Sequence, residues 1–113
     1  MLEKLFRISK NWEFQNIYRK GRGASSQFFS INFIPNKYDF SRFGIVVSKK
    51  VAKKAVTRNK LKRQVRELVF ELSKKVSGHY DVIISTKVAG LDLDYQKLKK
   101  ELEEIFIKAR LIK

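Results

Sequence analysis

The sequence predicts an α+β sandwich in which helices cover a mostly antiparallel sheet. Apolar residues alternate with other residues in three short segments, 27–34, 42–48 and 80–86, as they do in β-strands. In two longer segments, 61–76 and 98–109, apolar residues recur every three or four positions, as on one face of a helix. A chain of 113 residues that is 43% hydrophobic can build one core, so residues 1–113 are predicted to form a single domain.

The N-terminal part predicts a short helix. A leader of basic and apolar residues, 1–8, shows no firm period. The helix that follows begins after Ser9 or Asn11, either of which can be its N-cap, and Gly21 ends it. Trp12 lies nearly opposite the apolar face of this helix. That face consists of Phe14, Ile17 and Tyr18.

Two predicted strands follow. The run 21–26 is rich in Gly and Ser, which predicts a loop. An extra strand pairing around 21–34 is also possible, and it gives the order α-β-β-β-α-β-α. Residues 27–34 form one strand, which Pro35 ends, and its apolar face is Phe29, Ile31 and Phe33. The segment 36–41 is predicted to connect antiparallel strands. The next strand, 42–48, has the apolar face Phe43, Ile45 and Val47.

The longest predicted element is a helix that follows a basic link, Lys49 to Val56. Thr57 is its predicted N-cap, so that Val56 and Leu61 would form a hydrophobic staple. The apolar stripe is Leu61, Val65, Leu68, Val69, Leu72 and Val76. Ser77 and Gly78 are predicted to end the helix.

The C-terminal part predicts one more strand and one more helix. Residues 80–86 form the strand, with Val82 and Ile84 on one face and Ile83 on the other. Asp92 or Asp94 precedes the last helix, whose apolar stripe is Leu98, Leu102, Ile105, Phe106 and Ala109.

The composition restricts the partners. The formal charge of +15 repels itself in a folded chain, so a polyanion is the expected partner. The chain has no cysteine, which excludes disulfides and thiolate zinc sites. No apolar run has the length of a membrane span, and the first twenty residues contain no long apolar block. These features predict a cytoplasmic protein without a membrane span, and they leave nucleic acid or an anionic membrane as the expected polyanion.

The positive charge is concentrated between Lys49 and Arg66, where nine of eighteen residues are Lys or Arg and none is acidic. On the predicted helix, Lys60 lies on the same side as Glu67 and Glu71. A second side carries no acid and consists of Asn59, Lys62, Arg63 and Arg66. A solvated charged face is the alternative, but the missing acids favour a surface that binds nucleic acid.

This basic stretch resembles the signature of the bacterial ribonuclease P protein subunit, which centres on Arg-Asn-Arg, a basic pair and a further Arg on one helix. The matching residues are Ser48-Lys49-Lys50-Val51, Ala55-Val56, Arg58-Asn59-Lys60-Leu61-Lys62-Arg63 and Arg66-Glu67. The segment Asn11 to Gly21 is similar to the first helix of that family, where a Phe and a second aromatic four residues later face a central cleft.

The resemblance implies a fold and a function. The fold would contain a left-handed βαβ crossover, which the usual handedness rule does not predict. The protein would bind the catalytic RNA of ribonuclease P and the 5′ leader of precursor tRNA, and would assist removal of that leader. The RNA would perform the hydrolysis with Mg²⁺. The protein would therefore supply no catalytic residue, bind no cofactor or metal tightly, and need no obligatory protein partner.

The resemblance also assigns residues. The signature helix would contact RNA through Arg58, Asn59, Lys60, Lys62, Arg63 and Arg66, and the charge pattern adds Lys49, Lys50 and Lys53. Phe14 and Tyr18 would line the leader-binding cleft, and Phe28 is a further stacking candidate or a core residue. Four positions differ from the usual family pattern. They are Lys60, where Arg is usual and where Glu67 and Glu71 are potential partners, Ala52, where Gly is common, and Ile31 and Ile112, where some members have a cleft Tyr.

Three other functions are compatible with parts of this sequence. A ribosomal or other structural RNA-binding protein shares this composition, and the spacing of Phe14 and Tyr18 also fits a core. A protein-only nuclease needs clustered carboxylates or a histidine pair. The chain has one histidine, His79, at a predicted surface junction, while Glu101, Glu103 and Glu104 lie on the solvent side of the last helix. A membrane-surface helix needs an apolar face that no strand covers.

Overall fold

Seven main elements follow one another in the predicted order α-β-β-β-α-β-α, and the α+β fold class is confirmed. The computed structural model describes residues 7–113, so most of the predicted leader, residues 1–6, lies outside the described residues. The elements are α1 (Asn11–Lys20), β1 (Arg22–Ser25), β2 (Phe29–Pro35), β3 (Arg42–Val46), α2 (Ala55–Ser73), β4 (Tyr80–Thr86) and α3 (Tyr95–Lys108). A short 3-10 turn, Val88–Gly90, precedes α3.

The four strands form one sheet in the order β1-β2-β4-β3. The β1–β2 and β2–β4 pairs are antiparallel, and the β3–β4 pair is parallel. The sheet is therefore mostly antiparallel, as predicted. Because α2 connects the parallel neighbours β3 and β4, these three elements form the βαβ unit; its left-handedness stays a prediction. The segment 36–41 connects strands that run antiparallel, but β4 lies between them.

The two faces of the sheet bury different clusters. On one face, α2 and α3 cover the apolar side chains of the strands, including Phe29, Ile31, Val82 and Ile84, all of which are inaccessible to solvent. On the other face, α1 covers a smaller cluster. The buried members of this smaller cluster are Ile8, Ile17 and Ile83. The alternation of β4 explains the division, because Ile83 points away from Val82 and Ile84.

The first helix and the first strand differ from the prediction in detail. Lys10, rather than Ser9 or Asn11, is the N-cap of α1, and its backbone N–H donates to Glu13 Oε1 at 3.4 Å. Of the two predictions for residues 21–26, the loop is wrong for residues 22–25 and the extra strand pairing is confirmed, because these residues pair with β2 as β1. Their Gly- and Ser-rich composition resembles a turn, and only the pairing makes them a strand.

The beginning of α2 also corrects the prediction. The helix begins at Ala55 with Lys54 as its N-cap, so Thr57 is not the cap. Val56 is 81% exposed and forms no hydrophobic staple. The helix ends at Ser73, before the predicted stop at Ser77 and Gly78. The predicted stripe is nevertheless confirmed within the helix, since its members Leu61, Val65, Leu68, Val69 and Leu72 are buried.

The C-terminal elements agree with the prediction. The strand 80–86 has the predicted bounds. The side chain of Asp94 caps α3 by accepting a hydrogen bond from the backbone N–H of Lys97 at 2.9 Å. Four residues of the predicted stripe are buried, namely Leu98, Leu102, Ile105 and Phe106. Between residues 7 and 113, none of the helices combines the length and the apolar character that a membrane span requires.

Candidate nucleic-acid interface

The second side of α2 carries positive charge that no acid of the described residues neutralises. This basic face consists of Asn59, Lys62, Arg63 and Arg66. Asn59 and Arg63 are exposed, whereas Lys62 and Arg66 are half-buried beside the apolar stripe. Within residues 7–113, no carboxylate forms an ion pair with any of these cations. As far as residues 7–113 are concerned, their charge is therefore available to an external anion.

Arg66 lies where its own charge is unfavourable. Burial, and then the positive charge of nearby Arg7, lower the pKa of Arg66. Arg7 comes into this position because residues 7 and 8 run beside β3, where the backbone N–H of Ile8 donates to the carbonyl of Phe43 at 3.0 Å. A phosphate beside Arg66 would offset both unfavourable effects. Arg7 was not predicted, because its proximity to α2 depends on this strand-edge pairing.

The basic link before α2 is an ordered turn, which we call the basic turn (residues 48–54). The backbone N–H groups of Val51 and Ala52 both donate to the carbonyl of Ser48 at 3.1 Å, and Ala52 is buried. The side chains of Lys49, Lys50 and Lys53 are exposed. Because α2 has no side-chain cap and no acid in its first turn, its N-terminal N–H groups add to the positive potential.

Arg58 has a structural contact in addition to its predicted contact with RNA. Its Nη1 atom donates to the carbonyls of Ala52 at 2.9 Å and Lys53 at 2.8 Å. These two bonds hold the end of the basic turn against α2. They also help to explain why the helix begins before Thr57.

Lys60 is exposed on the other side of α2, as predicted. The suggestion that Glu71 engages Lys60 is wrong, because its carboxylate lies 3.8 Å from Lys74 Nζ. Glu67 forms no ion pair with Lys60 in the described part of the chain. Lys60 therefore remains a predicted contact that lies apart from the basic face.

The outward surface of α1 presents one of the predicted rings. Ile17 is buried, Phe14 is half-buried, and Tyr18 is 46% exposed. Phe14 packs directly on Gly44 of β3, because a Cβ atom at Gly44 would lie only 2.8 Å from two atoms of the Phe14 ring. Tyr18 is thus the more accessible of the two predicted stacking residues.

Three other positions belong to the opposite side of the sheet. Phe28 packs against the larger cluster, whereas Phe14 packs against the smaller one. The structure therefore favours the core role of Phe28 over a place beside Phe14 and Tyr18. Ile31 and Ile112 are also buried in the larger cluster, so neither side chain reaches the α1 side.

A buried ion-pair network holds α1 to the sheet, and the sequence patterns did not reveal it. Arg42 Nη2 lies 2.5 Å from Glu13 Oε2 and 2.6 Å from Asp81 Oδ2, and Arg42 Nε donates to Asp81 Oδ1 at 2.9 Å. Asn36 Nδ2 donates to the same Asp81 Oδ1 at 2.8 Å. The Arg42 guanidinium also stacks over the ring of Tyr38, 4.8 Å from its centroid. No local period signals this network, because its members come from four separate segments.

The described residues show no arrangement typical of a nuclease. From Arg7 to Lys113, no three His, Asp or Glu side chains come together as a metal site would require. His79 is exposed. Glu103 and Glu104 lie on α3 beside Lys99 and Lys100, where charges of both signs line a shallow surface depression.

An α+β sandwich whose helix carries a cationic face that no carboxylate of residues 7–113 neutralises is typical of the class of nucleic-acid-binding proteins. The family model described as Ribonuclease P matches residues 2–110. The chain therefore belongs to the ribonuclease P protein family. It is the protein subunit of a tRNA-processing endoribonuclease that contains RNA.

Relatives agree in sequence and in structure. The chain is 38% identical to the ribonuclease P protein component of Syntrophomonas wolfei over 82 residues. This matched stretch covers 73% of this chain and 68% of that protein. It is also 48% identical to the Staphylococcus aureus component over 68 residues, a stretch that covers 59% of this chain and 57% of that protein. A solved structure of the Staphylococcus aureus protein covers 96% of this chain and 98% of its own, with a TM-score of 0.88 and 33% identity. The Thermotoga maritima protein gives a TM-score of 0.82 at 27% identity, over 90% of this chain and 96% of its own.

Proposed function

We propose that this subunit binds the ribonuclease P RNA through the basic face of α2 and the basic turn. The observation that carries the proposal is the cluster of Lys62, Arg63 and Arg66 on one side of α2, with which no carboxylate of residues 7–113 forms an ion pair. Burial and nearby Arg7 also lower the pKa of Arg66. A site of this kind favours the binding of anions, and the phosphates of RNA supply the negative charge that the described residues lack there. Folded RNA would be recognised by shape and phosphate rather than by base sequence.

We further propose that the α1 side binds the single-stranded 5′ leader of precursor tRNA. Tyr18 exposes part of a ring that can stack on any base, and Arg19 and Lys20 follow it in the last turn of α1. Because residues 7–10 connect the edge of β3 to α1, they link this surface to the surroundings of Arg66. One RNA-binding surface could therefore extend from α2 to α1.

The protein's part in the reaction is binding and positioning. The scissile phosphate would be hydrolysed by the RNA with Mg²⁺ bound to that RNA, and the protein would supply no catalytic group. It would work in the cytoplasm with the catalytic RNA and precursor tRNA, without a membrane and without an obligatory protein partner. Its positive charge would lower the repulsion between the two RNAs, which matters most when Mg²⁺ is scarce.

The test is precursor-tRNA cleavage by the matching catalytic RNA at low Mg²⁺, with and without the protein. We expect the protein to stimulate cleavage of a precursor tRNA with a leader of several nucleotides more than cleavage of a precursor tRNA whose leader is a single nucleotide. Tyr18→Ala should reduce that difference, while Tyr95→Ala, which removes an exposed Tyr from α3, should not. Absence of stimulation would exclude the proposal, and stimulation without leader dependence would exclude its second part.

A further inference from the structure

A second cationic cleft lies at the opposite edge of the sheet from the basic face. It is a cavity of about 320 Å³ between β1 and the end of α3. Arg22, Lys108 and Arg110 contribute its positive charge, and Phe33 and Tyr80 contribute aromatic rings. None of the described residues that line it is acidic. A cavity of roughly 300 Å³ is at the lower end of the size range of small-ligand pockets.

The fold explains why these side chains meet. Arg22 is paired with Phe33 in the β1–β2 register, so the two side chains lie side by side on the face that α3 covers. The ring of Tyr80 meets that of Phe33 edge-on, with 5.7 Å between the centroids. Lys108 reaches across β1, where its Nζ donates to the carbonyl of Ser25 at 2.6 Å. The cleft therefore combines three cationic side chains with the aromatic rings of Phe33 and Tyr80.

Arg110 stands at a position where the backbone favours glycine. Its φ of 63° is the one positive value among the non-glycine residues that the structure describes. It occupies the position after the C-cap of α3 in a Schellman motif. The N–H of Leu111 donates to the carbonyl of Phe106, and that of Arg110 to the carbonyl of Ile107. An unfavourable residue kept at such a position is often explained by a function of its side chain.

We propose that this cleft binds one nucleotide, with its phosphate between Arg22 and Arg110 and its base against Tyr80. An arginine fork matches phosphate oxygens, and an aromatic ring accepts a base without regard to its identity. The nucleotide is either free or part of an RNA strand, and both sources offer the same chemistry. The cleft uses none of the residues of the proposed leader and catalytic-RNA surfaces, so the two proposals can fail separately.

The experiment is an NMR titration of the full chain labelled with ¹⁵N. The probes are inorganic phosphate, uridine 5′-monophosphate and a uridine hexanucleotide. We expect the amide signals of residues 22–24 and 108–111 to shift with the monophosphate, the hexanucleotide or both. A response to the monophosphate alone identifies a free nucleotide, and a much stronger response to the hexanucleotide identifies an RNA strand. Inorganic phosphate should bind several-fold more weakly, because it offers no base.

Arg110→Gly separates binding from folding. It removes the cation and relieves the positive φ, so the Tm should stay the same or rise by about a few degrees. The affinity measured at the cleft should fall roughly fivefold or more, since a charge-assisted contact to phosphate is lost. Lys100→Ala, which removes one exposed charge elsewhere on α3, should change that affinity much less. Equal losses in the two variants, binding of inorganic phosphate as tight as that of the tighter nucleotide probe, or no shifts at the cleft would each overturn the proposal.

Discussion

Replacement of Arg42 by Ala should destabilise the protein strongly, although the side chain lies outside both apolar clusters. Arg42 donates hydrogen bonds to Glu13 and Asp81, and all three side chains are 11–13% exposed. Removing one partner of such a buried pair costs about 3–5 kcal/mol, because the other charges stay buried without compensation. We expect a value near the lower limit, about 3 kcal/mol, since Asn36 still donates to Asp81.

Urea unfolding followed by circular dichroism measures this loss as a shift of the midpoint at constant slope. Arg42→Lys keeps the charge but loses the planar fork, so its loss should be intermediate. Arg63→Ala removes an exposed cation and should change the free energy of unfolding by less than about 0.5 kcal/mol. A loss below about 1 kcal/mol for Arg42→Ala, or one equal to that of Arg63→Ala, would refute the reasoning.

The pH dependence of the Arg42 contribution should be flat in the neutral and alkaline range. The hydrogen bond to Asp81 is the largest of the effects that raise the pKa of Arg42 above its usual value. A group whose pKa is raised by folding stabilises the protein below its unfolded-state pKa and loses that effect only as the pH rises through the folded-state pKa. Both values are strongly alkaline for arginine. The difference between Arg42→Ala and the parent should therefore be the same at pH 7 and pH 10.

Further substitutions test the RNA-binding surfaces and the core. Arg63→Ala and Arg66→Ala should each weaken binding of the catalytic RNA and lower the slope of log affinity against log salt concentration by about 0.7–0.9. Filter binding at several salt concentrations measures this slope, and an unchanged slope would contradict phosphate contacts. Leu68→Ala should cost roughly 2–5 kcal/mol in urea unfolding, and a tolerated change would mean that the two sides of α2 are assigned the wrong way round. Gly44→Ala should lower the free energy of unfolding by about 1–3 kcal/mol, because the new Cβ would meet the Phe14 ring. Adding Phe14→Leu should recover part of this stability, and no loss in Gly44→Ala would contradict the close packing of α1 on β3.

The sequence predicted those features that depend on local periodicity. The strand 80–86 alternates cleanly, and the stripe from Leu61 to Leu72 has the period of a helix. The sequence also predicted which residues form the basic face, because a run of cations without acidic residues is visible in it. In each case, neighbouring residues carry the information. The α+β class followed from these elements alone.

Features that depend on distant pairing were not predictable in the same way. Residues 22–25 are a strand because β2 lies beside them, and α2 begins at Ala55 while Arg58 holds the preceding carbonyls. Arg7 lies near enough to Arg66 to lower its pKa because residue 7 pairs with the edge of β3. The Arg42 network likewise joins segments that are far apart in the chain. Local sequence patterns do not encode these contacts, since each partner belongs to a residue type that is usually found on the surface.

The central strand β4 couples the two proposed RNA-binding surfaces. Its Val82 and Ile84 pack under α2 and α3, its Ile83 packs under α1, and its Asp81 holds Arg42. A change at β4 can therefore shift α1 relative to α2 without touching either RNA-binding surface. In the proposed function the contact with catalytic RNA and the contact with the leader are made together, so the cost of such a shift should appear in substrate binding by the assembled enzyme. Binding of either RNA alone would be affected less.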